Sequence, residues 1–168
     1  MAANKSTGDS PQVLRGSWFY HWGDLAKEPE SGQWRYNQAQ WEAVEFPENM
    51  PERQDNKIVW VKIDLPSGNW RDPYFFINAV DLAFEVFHNH KIIYYFGDID
   101  EQGNSRFEGW PWHAFLLPND YDQHTLYFRI ASDYPSIGLS GEASIGNRFS
   151  LLNKVYGNGI AGLSFILV

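Results

Sequence analysis

Eight tryptophans and five histidines are the residues of this 168-residue sequence with the most chemistry to offer. Their neighbours decide what that chemistry is. Trp70 follows Gly68-Asn69 and precedes Arg71-Asp72, and Trp110-Pro111-Trp112-His113 closes a long polar stretch. Turn-like settings of this kind present side chains to solvent and to partners. An indole face stacks on the C–H face of a sugar ring, arginine offers paired N–H donors to hydroxyls, and aspartate accepts from them. The pattern points to capture of a small polyhydroxylated molecule. The candidate contacts are Trp70, Arg71, Tyr95, Asp98, Arg106, Trp110, Trp112 and His113, with stacking from the indoles, bidentate hydrogen bonding from the arginines and acceptance by Asp98.

Two further clusters invite comparison with metal sites. Asp98-Ile99-Asp100-Glu101-Gln102-Gly103-Asn104 begins like an oxygen-ligand calcium loop, with acids first and third and glycine sixth. Gly109 then falls at the twelfth position, where a bidentate glutamate belongs, and Arg106 stands where a water-bridging ligand would. This stretch reads as a solvated turn. His88-Asn89-His90 has a spacing that puts both rings on one face of a strand, but zinc needs a third ligand and an orienting shell. The sequence supplies neither nearby, so both rings are expected to be exposed at a hairpin tip, and no metal or cofactor is expected. A glycosidase needs two carboxylates facing across a cleft, and among 21 acids formal pairs carry no information. No G-x-S-x-G, Walker-type or H-E-x-x-H motif occurs, so nothing in the sequence supports an enzyme.

The elements that must hold these residues are strands. Aromatic residues make up 17% of the chain, a share that suits pleated surfaces where flat rings pack. Residues 57–65 alternate cleanly, Val59, Val61, Ile63 and Leu65 against Ile58, Trp60, Lys62 and Asp64, and Pro66 ends the run. Further strands are predicted over 16–22, 41–46, 74–80, 82–87, 92–96, 112–117, 125–131 and 137–145, with 88–91 as a hairpin turn and 97–109 as a polar loop. Trp18, Trp22, Trp34, Trp41 and Trp60 are read as sandwich core. With no helix between strands, a parallel βαβ arrangement is excluded. The expected fold is all-β, an antiparallel jelly-roll β-sandwich with a short C-terminal helical segment, where Phe149, Leu152, Val155 and Tyr156 fall at helical spacing. The net charge of −8 and the lack of a basic run exclude nucleic acid as a partner, and no cysteine is present for a disulfide or thiolate site. Residues 1–11 have no apolar stretch of the kind a signal peptide carries, and the residues alone leave cytoplasmic and exported compartments both open.

Several segments, in order, resemble a known pattern. Gly16-Ser17-Trp18-Phe19-Tyr20-His21-Trp22-Gly23 is similar to the opening G-x-W-x-F-Y-x-G of two related groups. One is the jelly-roll extracellular sensor domain of bacterial seven-transmembrane receptors with diverse intracellular signalling modules. The other is the galactose-binding-like sugar-binding domain of glycoside hydrolases. Trp41-x-x-Val44-x-Phe46-Pro47 resembles their W-x-x-V-x-x-P strand, and Val59-Trp60-Val61-x-x-x-Leu65-Pro66 resembles V-W-Y-x-x-x-hydrophobic-P. Glu85-Val86-Phe87-His88-Asn89 followed by Gly97 is similar to their E-V-Y-x-N-G…G hairpin, departing at His90, where the family has glycine. Ser132-Asp133-Tyr134-x-x-Ile137-Gly138 and the 141–146 stretch resemble the exit of the sensor domain toward a membrane.

Residues 1–12, small and polar, read as a disordered lead-in, and the sensor resemblance implies a jelly-roll sensor over 13–146 and a linker helix with the start of a truncated transmembrane segment over 147–168. The apolar run 160–168 would be that start, although nine residues are too few to span a bilayer. Its implied role is a ligand-sensing domain on the periplasmic face of a bacterial inner membrane. It would bind a small molecule such as a carbohydrate and meet the membrane through the segment following Val168. The alternative is a non-catalytic sugar-binding or support domain of a glycoside hydrolase. A purely structural interaction domain, with the aromatic loops meeting another chain, is a third reading.

Overall fold

The alternation of apolar and polar residues becomes two stacked sheets. The computed structural model describes residues 10–16, 18–68, 70–100, 102–106, 108–157 and 165–167, with side chains through Asn153. The strands are β1 (Gln12–Val13), β2 (Trp18–Trp22), β3 (Glu42–Val44), β4 (Ile58–Asp64), β5 (Pro73–Asp81), β6 (Ala83–His88), β7 (Lys91–Phe96), β8 (Trp112–Leu116), β9 (Thr125–Ala131), β10 (Gly138–Asn147) and β11 (Phe165–Leu167). A 3-10 turn, Tyr36–Gln38, and one helix, α1 (Arg148–Gly157), complete them. The sheet orders are β1-β10-β5-β8-β11 and β3-β2-β4-β9-β6-β7. From β4 to β10 the chain crosses repeatedly between the sheets, as in a jelly roll.

The core lies between the sheets because each inner face carries one set of alternating residues. Val59, Val61 and Ile63 of β4 meet Phe75 and Ile77 of β5 and Phe115 of β8 in one buried cluster. Phe75 stacks on Phe115 at 5.2 Å, and Tyr94 stacks on Phe115 at 4.8 Å. The nearly all-apolar β5 is covered on both sides. Phe76 points outward and is buried against Leu151 of α1.

Three regions differ from the sequence reading. Gln12 already pairs with Ile145, so the sandwich begins inside the stretch expected as lead-in; residues 1–9 lie outside the described residues. His88 is 3% exposed, not solvated at a hairpin tip. The turn residues are Asn89 and His90, with φ of 47° and 62°, the left-handed pair that a two-residue hairpin requires. The strand therefore ends at His88, and the two rings do not share one strand face. At the far end, where a membrane span was anticipated, Phe165–Leu167 lies parallel to β8 as an edge strand, Phe165 opposite Trp112 and Leu167 opposite Ala114. Residues 158–164 and 168 are outside the described residues. Among those described, no helix is long and apolar enough to cross a membrane.

The outer face of the six-stranded sheet is also covered. Trp60 of β4 stands opposite Arg129 of β9, and Arg129 stands opposite Glu85 of β6. The chain after β2 folds back over this row and packs Leu25, Trp34, Tyr36 and Trp41 on Trp60 and Phe87. Asp24 pins it there. Its Oδ2 accepts from Arg129 Nη2 at 2.6 Å, and its Oδ1 accepts from Arg129 Nε at 3.0 Å and from the Trp60 indole at 2.9 Å. Glu85 Oε2 accepts from Nη1 at 3.2 Å, and the guanidinium lies 5.2 Å over the Trp34 ring.

Arg129 is only 7% exposed, so losing a partner strands a buried charge, at a cost of about 3–5 kcal/mol in the fully buried case. Asp24 takes two hydrogen bonds from Arg129 and one from Trp60, whereas Glu85 takes one from Arg129. Asp24→Ala should therefore destabilise by about 3 kcal/mol and Glu85→Ala by clearly less, measured as urea midpoints at constant slope. Equal losses would contradict the geometry.

Candidate functional site

The segment that Asp24 pins shapes a groove on the outside of the six-stranded sheet. Its volume is about 520 Å³, and Trp34, Tyr36, Trp41, His90 and Tyr127 supply its aromatic lining. Lys62, Arg35, Gln33, Asn37 and Glu28 add polar groups. Tyr36 stacks on Tyr127 with centroids 3.7 Å apart and planes at 8°, and His90 stacks near Tyr36 at 4.9 Å and 22°. Three elements thus meet through one column of rings: the 3-10 turn, strand β9 and the β6–β7 hairpin. The Trp41 indole donates to the Tyr36 carbonyl at 2.9 Å and so fixes the groove's second wall.

The hairpin departure at His90 has a physical reason here. A left-handed residue favours glycine, and a side chain there costs about 1–2 kcal/mol, but histidine is among the residues that adopt it. Glycine would leave the outer face of Tyr36 bare, whereas His90 covers it.

The groove's electrostatics are mixed. Lys62 Nζ lies 4.7 Å over Trp41 and 5.1 Å over Phe19, held by ring faces rather than by an acid. Arg35 is committed to Glu28 at 2.8 Å. Burial, then the neighbouring Tyr127 and Glu85, push the Tyr36 hydroxyl's pKa well above its usual range, so it stays protonated. Among the described residues that buried hydroxyl has no hydrogen-bond partner, a donor and acceptor left over in the groove lining.

The eight residues anticipated as ligand contacts do not share one surface. Trp70 is buried (5%), its indole donating to the Ser10 carbonyl at 3.4 Å, and its turn folds so tightly that a Cβ on Gly68 would lie 1.9 Å from the Trp70 ring. A turn position did not mean exposure here. Trp112 packs on Phe76 at 5.1 Å, outside the five-stranded sheet. His113, next along β8, points into the core and is fully buried. Tyr95 is exposed on the opposite side of the sandwich, in the cross-strand row of Glu85. Arg71, Asp98 and Arg106 are exposed, with Arg106 Nε 3.9 Å from Glu108. Trp110 is 54% exposed, and its indole and the Ser136 hydroxyl hydrogen-bond the Asp81 carboxylate, whose pKa burial nevertheless raises.

In the 98–104 turn, Asp100 spends its carboxylate on its own loop. It accepts from the Gln102 and Asn104 amides at 2.9 and 2.8 Å and from Asn104 Nδ2 at 2.9 Å. These bonds hold its pKa below the usual carboxylate range, as in a turn closed by an aspartate.

Trp34, Tyr36, Trp41, Lys62, His90 and Tyr127 were not anticipated as a site, since Trp34 and Trp41 were read as core. The signal was in Gln33-Trp34-Arg35-Tyr36-Asn37-Gln38-Ala39-Gln40-Trp41, where aromatics are interleaved with amide and cationic side chains just ahead of the strand predicted over 41–46.

No protein-family model matches the sequence, and no protein of curated function matches it. Solved structures do. A putative β-galactosidase from Bacteroides fragilis aligns over 83% of this chain and 23% of its own, at 11% identity and TM-score 0.55. A Ruminococcus gnavus β-glucuronidase aligns over 80% and 27%, at 12% and 0.55. A family 2 glycoside hydrolase, a β-galacturonidase from Eisenbergiella tayi bound to glycerol, aligns over 88% and 26%, at 10% and 0.54. The chain thus spans about a quarter of the length of each. At this identity the likeness is one of fold alone: a two-sheet β-sandwich that aligns with one part of each of those hydrolases.

His113 makes a measurable contribution to pH dependence. Burial among Phe84, Phe96 and Tyr94 drops its pKa from 6.5 to about 4, and Nδ1 meets the Tyr94 hydroxyl at 3.0 Å. The unfolded chain takes up this proton below pH 6.5, the folded one only near pH 4. Stability should therefore fall as pH drops through that window, by on the order of 3 kcal/mol in full. His113→Gln should flatten this part of a stability–pH profile, and a profile unchanged by the substitution would contradict the assignment.

Proposed function

We propose that this chain is a non-catalytic carbohydrate-binding and supporting module of a glycoside hydrolase, and that it holds saccharide in the groove lined by Trp34, Tyr36, Trp41, His90 and Tyr127. The observation that carries this is the groove itself, about 520 Å³ with aromatic walls and amide and cationic side chains between them. Pockets of 300–1,000 Å³ with a few convergent polar groups suit small ligands, and rings with hydroxyl-binding groups beside them suit sugars. The fold shared with parts of family 2 hydrolases supports the same reading. So does the use of both Asp24 and Glu85 to fasten Arg129, which gives these two acids a structural task.

The membrane-receptor reading draws less support. Phe165–Leu167, in the run expected to enter the bilayer, is paired to β8 as a strand. Trp110 is the sequence-predicted residue best placed to touch a ligand at the loop edge, with Asp81 and Ser136 beside it.

Titration with a panel of neutral oligosaccharides and uronides, followed by tryptophan fluorescence and calorimetry, tests the assignment. Binding should be weak, on the order of millimolar to tens of micromolar. Trp41→Ala and His90→Gly should each reduce affinity about tenfold or more, and Trp110→Ala should leave it unchanged. Loss in Trp110→Ala alone would move the site to the loop edge. Absence of binding to any sugar would leave the groove without this role.

A further inference from the structure

A second cluster lies on the far side of the same hairpin. His88 at the end of β6, and Asp120 and His124 in the loop before β9, each place one ligand-type atom within 4.8 Å of the others. The His88 and His124 rings lie 5.1 Å apart at 80°, and His88 Nδ1 is 3.9 Å from Asp120 Oδ1. That is too long for a hydrogen bond, and among the described residues the buried His88 Nε2 has no hydrogen-bond partner. A 3%-exposed imidazole beside a carboxylate, with neither nitrogen satisfied by it, is a costly arrangement for a fold to keep on packing grounds alone.

We propose that His88, Asp120 and His124 form a binding site for a zinc ion. Two imidazoles and one carboxylate suit zinc, whereas magnesium and calcium demand oxygen ligands. Tetrahedral coordination at about 2.0–2.1 Å sets neighbouring ligand atoms about 3.3 Å apart, so the three groups must draw together by about 1 Å. Asp120 has a side chain 62% exposed and His124 is half-buried, so both have room to do this.

The contacts around His124 and Asp120 match what metal ligands need. His124 Nδ1–H donates to the Asp120 carbonyl, which leaves the lone pair on Nε2, and Asn89 Nδ2 donates to Asp120 Oδ2 at 3.3 Å. Hydrogen bonds of this kind orient ligands and fix a tautomer. The sequence pair His88 and His90 suggested zinc but lacked a third ligand; the fold replaces His90, which stacks on Tyr36, with two residues more than 30 positions away in the chain. Bound zinc would clip the β6–β7 hairpin to the 118–124 loop.

Calorimetry of tag-free, chelator-stripped protein with zinc chloride tests this. One ion should bind saturably, with Kd on the order of 10 μM or tighter, and magnesium should not compete. His124→Gln and Asp120→Asn, both changes at accessible positions, should each weaken binding at least tenfold (compare the about 10–100-fold lost with outer-shell partners alone). His21→Gln should not. Absence of binding up to about 1 mM, magnesium binding of equal strength, or wild-type affinity in either variant would overturn the site.

Discussion

Arg129 is the constraint around which the outer face of this sandwich is organised. A guanidinium at the centre of a six-stranded sheet must be neutralised where it stands, because a buried and unpaired charge is expensive. Glu85, its cross-strand neighbour, meets one nitrogen. Asp24 meets two more and the Trp60 indole as well. Since Asp24 sits just after β2, satisfying Arg129 forces the following chain to return across the sheet. The aromatic residues of that return, Trp34, Tyr36 and Trp41, then have nowhere to pack except on Trp60, Phe87 and Tyr127.

The groove follows from this. One ion-paired anchor and a column of stacked rings hold an irregular segment against regular strands, which gives a loop-built concavity a rigid floor. The hairpin contributes through His90, held in a left-handed conformation that glycine would adopt at lower cost. A residue that departs from local conformational preference while completing a stack is where function and fold are expected to compete. The neighbouring His88 ties the other side of the same hairpin to the 118–124 loop, so both proposed sites act on one element.

Much of the fold was legible from the sequence because period-two alternation is a direct consequence of strand geometry. The two faces of 57–65 separate as read, Val59, Val61 and Ile63 on one and Trp60 on the other, although Trp60 packs under the outer segment rather than in the core between the sheets; the hairpin and the short helix also came out as read. The candidate site was much less legible. Asp24 and Arg129 are 105 positions apart, and no local pattern announces their pairing. Trp70 was expected at the surface because its neighbours are turn formers, yet a turn tight enough to need Gly68 folds its own indole inward. Trp112 and His113 are adjacent in sequence and therefore lie on opposite faces of β8, a separation that period two itself demands. His88 looked exposed because the loop that buries it lies some 30 residues further along.

Amide hydrogen exchange across the 24–41 segment, compared between the native protein and an Asp24→Asn variant, tests most directly whether the Arg129 anchor builds the groove. The account predicts that protection of the Lys27–Trp34 bridge and of the 3-10 turn collapses in the variant while the strands of both sheets keep theirs. Native-like protection over 24–41 in the variant would contradict it, because the aromatic column would then be holding the segment without the charge.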